Sequence, residues 1–399
     1  MMVVRDFLRW LETAPASDRA DAAGALARGY ICCDFEADAD ELAAVEGVML
    51  RLLDDPSPLV RRALADALAA SPLAPPTAIM ALTADQPQIA APVYALSPLL
   101  IDADLIEAVA SGDDAIQTAI ACRAEVPSAV AAAIAELGSI EACLILVEND
   151  GAEIAPASIH RIADRFGEIP SMREVLLARD DIPAPTRQSL VTKLSESIAG
   201  FVISRSWLEP DRAQRVVRES CEKATVIIAA DRPQIELRPL IGHLCASGQL
   251  TAGLILRALL SGNVVLFEEA LAELSGMPVR RVSRLVHDRF GSGVQALLEK
   301  AQIPPPTHRA FKAAIAAMHE GLVAEGDGAA RLQRRMIERV LTACEDADVS
   351  EIAPLVTLLR RFATEAAREE ARLFCEEIVE APAEVSADVP AEITYSAAA

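Results

Sequence analysis

The chain has 399 residues, is 52% hydrophobic but only 4% aromatic, and carries a formal net charge of −22 at pH 7. That length suffices for two or three domains, and an apolar content rich in Ala, Leu, Val and Ile favours an all-α class with helices packed closely on helices. The acidity argues against general binding to nucleic acid or to an anionic membrane. Its distribution is uneven, about −17 over residues 1–200, about +4 over 201–312 and about −9 beyond, so one basic surface remains open to the middle of the chain.

The N-terminal stretch MMVVRDFLRWLETAP is charged by its fifth residue and lacks the apolar run of a secretory signal. The longest apolar runs, such as ATVIIAA at Ala224–Ala230, fall far short of the roughly 20 residues a spanning helix needs. Both observations place the protein in the cytoplasm without membrane insertion. From there the pattern is helix, short turn, helix. DADELAAVEGVMLRLLDD is followed by SPLVRRALADALAAS, then by PPTAIMALTAD, PQIAAPVYALS, DADLIEAVASG and DDAIQTAIACRA. Pro, Gly and Asp-Asp punctuate the segments, and no alternating β-branched run bounded by hairpin turns predicts a strand.

Within DDPSPLVRRALADALAA (Asp54–Ala70) the spacing predicts one helix with Leu59, Ala63, Leu64, Ala67 and Leu68 on its inner stripe. Pro58 suits the first turn, where its missing N–H is not needed, and Ser57 is placed to cap. Arg61 and Arg62 fall off the stripe. The segment recurs loosely as ADQPQIAAPVYALS and SGDDAIQTAIACRA, with starts some 26–30 residues apart that later drift. A degenerate period of helix pairs is what a stacked array produces, because each hairpin buries its apolar side only against its neighbours.

DDPSPLVRRALADALA resembles the second helix of a HEAT repeat in its Asp, Pro, Val-Arg and Ala-Leu pattern. LLSGNVVLFEEALAELSGMPVRRVSRLVHDRFGSGVQALLEKAQIPPP, Leu259–Pro306, resembles the C-terminal half of an uncharacterised, mainly alphaproteobacterial family of HEAT-like helical proteins. The resemblance covers about residues 40–310. It implies a HEAT-like fold, an array of helical hairpins (an α-solenoid), and no catalytic residues.

These features divide the chain into a repeat region over 1–320, with halves meeting near 205/206, a helical hairpin over 328–379 and a disordered acidic tail over 380–399. The hairpin follows a flexible break at GDGAA. Its first helix carries Leu332, Met336, Ile337, Val340, Leu341 and Cys344 on one stripe. Its second, from about Ile352 to Ile378, carries Leu355, Leu359, Phe362 and Phe374. Such a hairpin needs a partner surface, supplied by its own repeats or by a second copy in a homodimer.

One stretch suggests chemistry. In LAELSGMPVRRVSRLV, Leu271–Val286, Ala272, Gly276 and Val282 match the small residue, turn glycine and buried apolar residue of a helix-turn-helix spanning about 263–289. Val279, Val282, Leu285 and Val286 would face inward. Arg280, Arg284 and His287 would share the outer face with Arg281 beside them. This ridge is the candidate partner-binding surface, with Arg61 and Arg62 as a second candidate. It could dock an acidic protein surface, or enter a major groove with arginines on phosphates and guanine edges.

Other patterns are weaker. The Gly-x-Gly of FGSGVQAL opens a helix but has no preceding strand and no following Lys-Ser/Thr, so a turn explains it better than a phosphate loop. The five His are scattered, and His243 and Cys245 sit on different helix faces. No cofactor or metal ion is expected. The eight Cys lie mostly among apolar residues and read as buried, reduced thiols. The expected function is therefore non-enzymatic: a protein-binding scaffold or regulatory adaptor, with a DNA-binding regulator as the second reading.

Overall fold

A computed structural model describes residues 2–32, 39–230, 234–288, 293–320, 329–345 and 349–380. Among these the chain is all-helical, and the one β-type contact is an isolated bridge between Val126 and Ala152. Of the flexible break predicted at GDGAA, residues 326–328 lie outside the described ones while Ala329 and Ala330 open the helix Ala329–Glu345; of the acidic tail predicted over 380–399, residues 381–399 lie outside the described ones while Glu380 ends the helix Val349–Glu380.

The chain divides into two compact units, Met1–Arg205 and Ser206–Ala399. The first holds α1 (Met2–Leu11), α2 (Ala16–Ile31), α3 (Ala39–Leu52), α4 (Pro58–Leu68), α5 (Pro76–Thr83), α6 (Pro87–Leu96), α7 (Asp102–Ser111), α8 (Asp114–Ala121), α9 (Ser128–Leu137), α10 (Ile140–Glu148), α11 (Pro156–Phe166), α12 (Pro170–Ala178) and α13 (Ala184–Ser204). The second holds α14 (Pro210–Ala230), α15 (Gln234–Ala246), α16 (Ala252–Leu260), α17 (Val264–Ser275), α18 (Val279–Val286), α19 (Val294–Lys300), a 3₁₀ turn at Pro305–Thr307, α20 (His308–His319), α21 (Ala329–Glu345) and α22 (Val349–Glu380).

In the first unit most helices are short, several begin with Pro, and many pack on the helix two positions along, while α3 packs chiefly on α2 and α5 on α6. α2, α4, α6, α8, α10 and α12 touch in that order, and α7, α9, α11 and α13 form a second row. Helices of two or three turns are marginal alone, so this lateral packing holds them. Polar side chains complete it. The last carbonyls of a helix have no intrahelical partner, and here donors from downstream supply one. Arg123 donates to Tyr94 O (2.6 Å) and Ser97 O (2.9 Å) at the end of α6. Asn149 Nδ2 donates to Ala121 O (2.9 Å) and Arg123 O (2.7 Å), and Arg179 Nη1 to Val147 O (2.7 Å). In the other row Arg165 donates to Ala135 O and Gly138 O, both at 2.8 Å, and Lys193 to Ala163 O at 3.2 Å. These donors lie 26 to 32 residues beyond their acceptors.

α4 shows where sequence periodicity misled. Pro58 takes the first helical position as expected, and Ser57 the capping position, but the Ser57 side chain makes no cap; its N–H donates to Asp55 Oδ1 at 2.8 Å. The buried stripe is Val60, Leu64, Ala65 and Leu68, while Leu59 is 60% exposed. α4 is flanked by α2 on one side and α6 on the other. Its inner face is therefore centred on the Val60–Leu64–Leu68 line, one position away from the predicted stripe.

The second unit has its own core, in which Phe267 and Phe311 stack with ring centroids 6.1 Å apart. α21 contributes Met336, Ile337, Val340 and Cys344, and α22 contributes Leu355, Leu359, Phe362 and Ala366. α21 and α22 pack on each other, and α21 also packs on α16 and α20, so the stripe of the hairpin joins the core of α16–α20. Leu341 is half-buried, and the side chain of Leu332 lies outside the described ones. Phe374, expected on the inner stripe, is 54% exposed. At 1.5 Å per residue α22 is about 48 Å long against about 26 Å for α21, so its last turns overrun the helix it packs on.

The thiols also depart from expectation. Cys143, Cys221 and Cys344 are buried, but Cys32, Cys122, Cys245 and Cys375 are exposed. Cys33 falls outside the described residues. The exposed four sit at or near helix C-termini or on the overrunning end of α22, where neighbouring helices give no cover.

Candidate interaction ridge and a buried charge cluster

α17 and α18 build the ridge. Asn263 caps α17, its Oδ1 accepting from Leu266 N at 3.0 Å. The helix ends at Gly276, whose φ of +64° is the left-handed turn that glycine adopts without strain. Pro278 then starts α18. Val282 and Val286 are fully buried, and Ala272 is 7% exposed where α17 meets its neighbours. Val279 and Leu285 are half-buried. The small residue, turn glycine and inner valine of the sequence pattern thus sit where a tight helical corner needs them.

Arg280, Arg281, Arg284 and His287 are all exposed. The three arginines make no ion pair or side-chain hydrogen bond among the described residues, which leaves three guanidinium groups on one eight-residue helix open to solvent. His287 differs: its Nε2 lies 2.9 Å from Oε1 of Glu268 on α17, a carboxylate only 12% exposed, and its ring lies 6.3 Å from that of His319. It is tied back to the unit, whereas the arginines are not.

The second candidate pair splits in a similar way. Arg61 is drawn inward: Nε and Nη2 donate to Asp85 at 2.6 and 3.1 Å, and Nη1 donates to Asp55 O at 2.6 Å. Burial alone would raise the Asp85 carboxyl, but the Arg61 hydrogen bond and the Gln86 N–H together hold it below its ordinary value. Arg19 clamps Asp55 likewise, at 2.8 and 2.9 Å, and lowers that carboxyl. Arg62 is exposed, pairs with Asp66 one turn on at 2.7 Å, and also donates to Gln88 O.

Sequence reasoning missed a cluster in the second unit. Arg257 of α16 is 3% exposed. Its Nη1 donates to Glu365 Oε2 of α22 at 2.6 Å, its guanidinium sits 4.0 Å from the centroid of the Phe362 ring, and its Nε lies 4.0 Å from Oε2 of Glu222 on α14. Nε and Nη2 have no hydrogen-bond partner among the described residues. Glu222, 7% exposed, accepts from Thr251 Oγ1 at 2.8 Å. Burial pushes its carboxyl above the ordinary value, against the pull of Thr251 and Arg257. The signal was a single arginine inside the apolar run GLILRALL, where an ion must find compensation or not be buried at all.

Two clefts flank the cluster. One, of about 250 Å³, is lined by Arg257, Lys223 and Glu365. The other, of about 700 Å³, is lined by Glu222, Thr251, Arg215, Arg218 and Arg361. Among the described residues no group of three His, Cys, Asp or Glu is placed to hold a metal ion, and no helix is long and apolar enough to cross a membrane.

No curated protein and no solved structure matches the chain. Residues 89–350 match a family described as an uncharacterised protein conserved in bacteria (DUF2336). The match starts within α6 and ends at the beginning of α22, later at both ends than the 40–310 that the sequence resemblance suggested, and it takes in the whole α17–α18 ridge and Arg257. Because it spans more than half of the chain, this protein belongs to the DUF2336 family.

Proposed function

We propose that the chain is a non-enzymatic protein-binding scaffold or regulatory adaptor of the cytoplasm, built as a HEAT-like array of helical hairpins and docking an acidic surface of a partner protein on α18. The observation that carries this reading is the ridge itself: Arg280, Arg281 and Arg284 are exposed and, among the described residues, unpaired on a short helix whose other face is buried at Val282 and Val286. In a chain with a net charge of −22, a local surplus of free guanidinium groups is a selective feature, since it attracts an acidic patch while the remainder repels one. The HEAT-like reading draws support from the first unit, where helices contact two positions along and polar side chains reach back 26 to 32 residues to helix-end carbonyls. A homodimer through α21–α22 would use the overrunning end of α22, where Leu373 and Phe374 are exposed.

The second reading is a DNA-binding regulator. It is favoured by the left-handed turn at Gly276, which sets α18 after α17 with its arginines outward. Affinity purification of the full-length protein from native cells, with and without nuclease, separates the two. A stoichiometric protein partner that survives nuclease and is lost in the Arg280→Ala/Arg284→Ala variant supports the scaffold. DNA fragments enriched by the wild type and lost in that variant, with binding that falls steeply with salt, support the regulator. Partner capture that is unaffected in the variant removes the ridge from either reading.

A further inference from the structure

We propose that the 700 Å³ cleft between α14, α16 and α22 binds a small soluble phosphate-bearing compound. This goes beyond the scaffold reading and does not depend on it. Arg215 and Arg218 lie one turn apart on α14, and Arg361 reaches the same cleft from α22. Arg215 and Arg218 have no ion pair or side-chain hydrogen bond among the described residues, and Arg361 is paired with Glu219. Guanidinium forks match phosphate oxygens in geometry and stay charged at any working pH. The volume falls in the range of small-molecule sites.

The first turn of α16 supplies the second half of the site. Its N-terminal residues Thr251, Ala252 and Gly253 line the cleft. Thr251 Oγ1 accepts from Leu254 N at 3.1 Å, and the leading N–H groups of a helix favour an anion. The chain seats its own carboxylate there: a Cβ at Gly253 would lie 3.1 Å from Glu222 Oε1, so glycine leaves the room that Glu222 fills. Behind Glu222, outside the lining of this cleft, stands Arg257, 3% exposed, its Nη1 on Glu365 and its Nε and Nη2 without a hydrogen-bond partner among the described residues. The cleft itself is lined by three arginines, Arg215, Arg218 and Arg361, and two glutamates, Glu219 and Glu222, so its lining carries one net positive charge. Burial raises the Glu222 carboxyl above its ordinary value, against the pull of Thr251 and Arg257.

The test is calorimetric titration of pyrophosphate into the full-length protein at fixed ionic strength. Saturable one-site binding is expected. The Arg215→Ala/Arg218→Ala variant should bind at least tenfold more weakly, while Arg280→Ala/Arg284→Ala should bind as the wild type does. Glu222→Gln, which removes the competing charge but keeps an acceptor for Thr251, should bind severalfold more tightly, a gain that misfolding cannot produce. Absence of saturable binding overturns the proposal. So does an equal loss in both arginine variants, or an unchanged or weaker affinity in Glu222→Gln. A phosphoserine peptide that binds as tightly as pyrophosphate overturns the assignment to a small soluble compound.

Discussion

Replacing Arg61 by Ala tests whether this side chain holds helices together or meets a partner. The change removes three hydrogen bonds from a guanidinium that is 14% exposed, two of them to a carboxylate equally shielded at Asp85. Breaking a fully buried pair costs about 3–5 kcal/mol, and an exposed pair contributes about 0–1 kcal/mol. Asp85 keeps the Gln86 N–H at 2.7 Å, and Asp55 keeps Arg19, so neither carboxylate is stranded. The expected loss is therefore about 2–3 kcal/mol. Arg62 is an internal control on the same helix: its pair with Asp66 is 46% and 53% exposed, and Arg62→Ala should cost about 0.5 kcal/mol or less. The chain has two tryptophans, Trp10 in the first unit and Trp207 in the second. In a Trp207→Phe background, Trp10 fluorescence reports urea unfolding of the first unit alone. With a slope of about 2.5 kcal/mol per M, Arg61→Ala should lower the midpoint by about 1 M. Equal midpoints for the Arg61 and Arg62 variants would refute the reasoning.

Phe267→Ala should destabilise the second unit by about 3–5 kcal/mol, because it empties a fully buried site stacked on Phe311; thermal unfolding followed through Trp207 measures it. Cys143, which burial raises to about 11 despite nearby Arg165, should stay unmodified by a thiol reagent at pH 8 in the native state, whereas Cys32, Cys122, Cys245 and Cys375 should react, as mass spectrometry of the labelled peptides will report. The Arg19 hydrogen bond holds Asp55 below its ordinary value, so the unfolded chain takes up a proton there before the folded one does. Its contribution is complete above the unfolded value of 3.8 and is lost as pH falls through the lowered one. Asp55→Asn should flatten the acid limb of the first unit's stability curve; an unchanged limb would assign acid unfolding to other groups.

What could be read in the sequence was what is decided locally. The corner at Gly276 depends on residues within about ten positions of one another, and Ala272, Gly276 and Val282 all took the places their types suggested. The choice between Leu59 and Val60 as the inner residue of α4 was not local. Both stripes share Leu64 and Leu68, and only the flanking helices α2 and α6 select one. The reach of Arg61 to Asp85 was hidden for the same reason, since nothing within α4 marks one arginine of an adjacent pair for an acceptor 24 residues on. The Arg257 cluster was hidden further, because its partner Glu365 stands 108 residues away. A buried ion shows in sequence only as an oddity in an apolar run, without the address of its counter-ion.

That difference in sequence separation bears on how the chain is made. In the first unit the cross-helix bonds of Arg61 to Asp85 and of Arg19 to Asp55 span 24 and 36 residues. Each can close soon after its second helix leaves the ribosome, at little loop-closure entropy. In the second unit Arg257 waits 108 residues for Glu365, and Glu219 waits 142 for Arg361. Until α22 has been synthesised, the charge of Arg257 and the apolar faces of α16 and α21 have no cover from it. The first unit is thus suited to acquire structure during translation, while the second completes the Arg257–Glu365 and Glu219–Arg361 contacts only once α22 has been made, and that interval is when it is most exposed to aggregation and proteolysis.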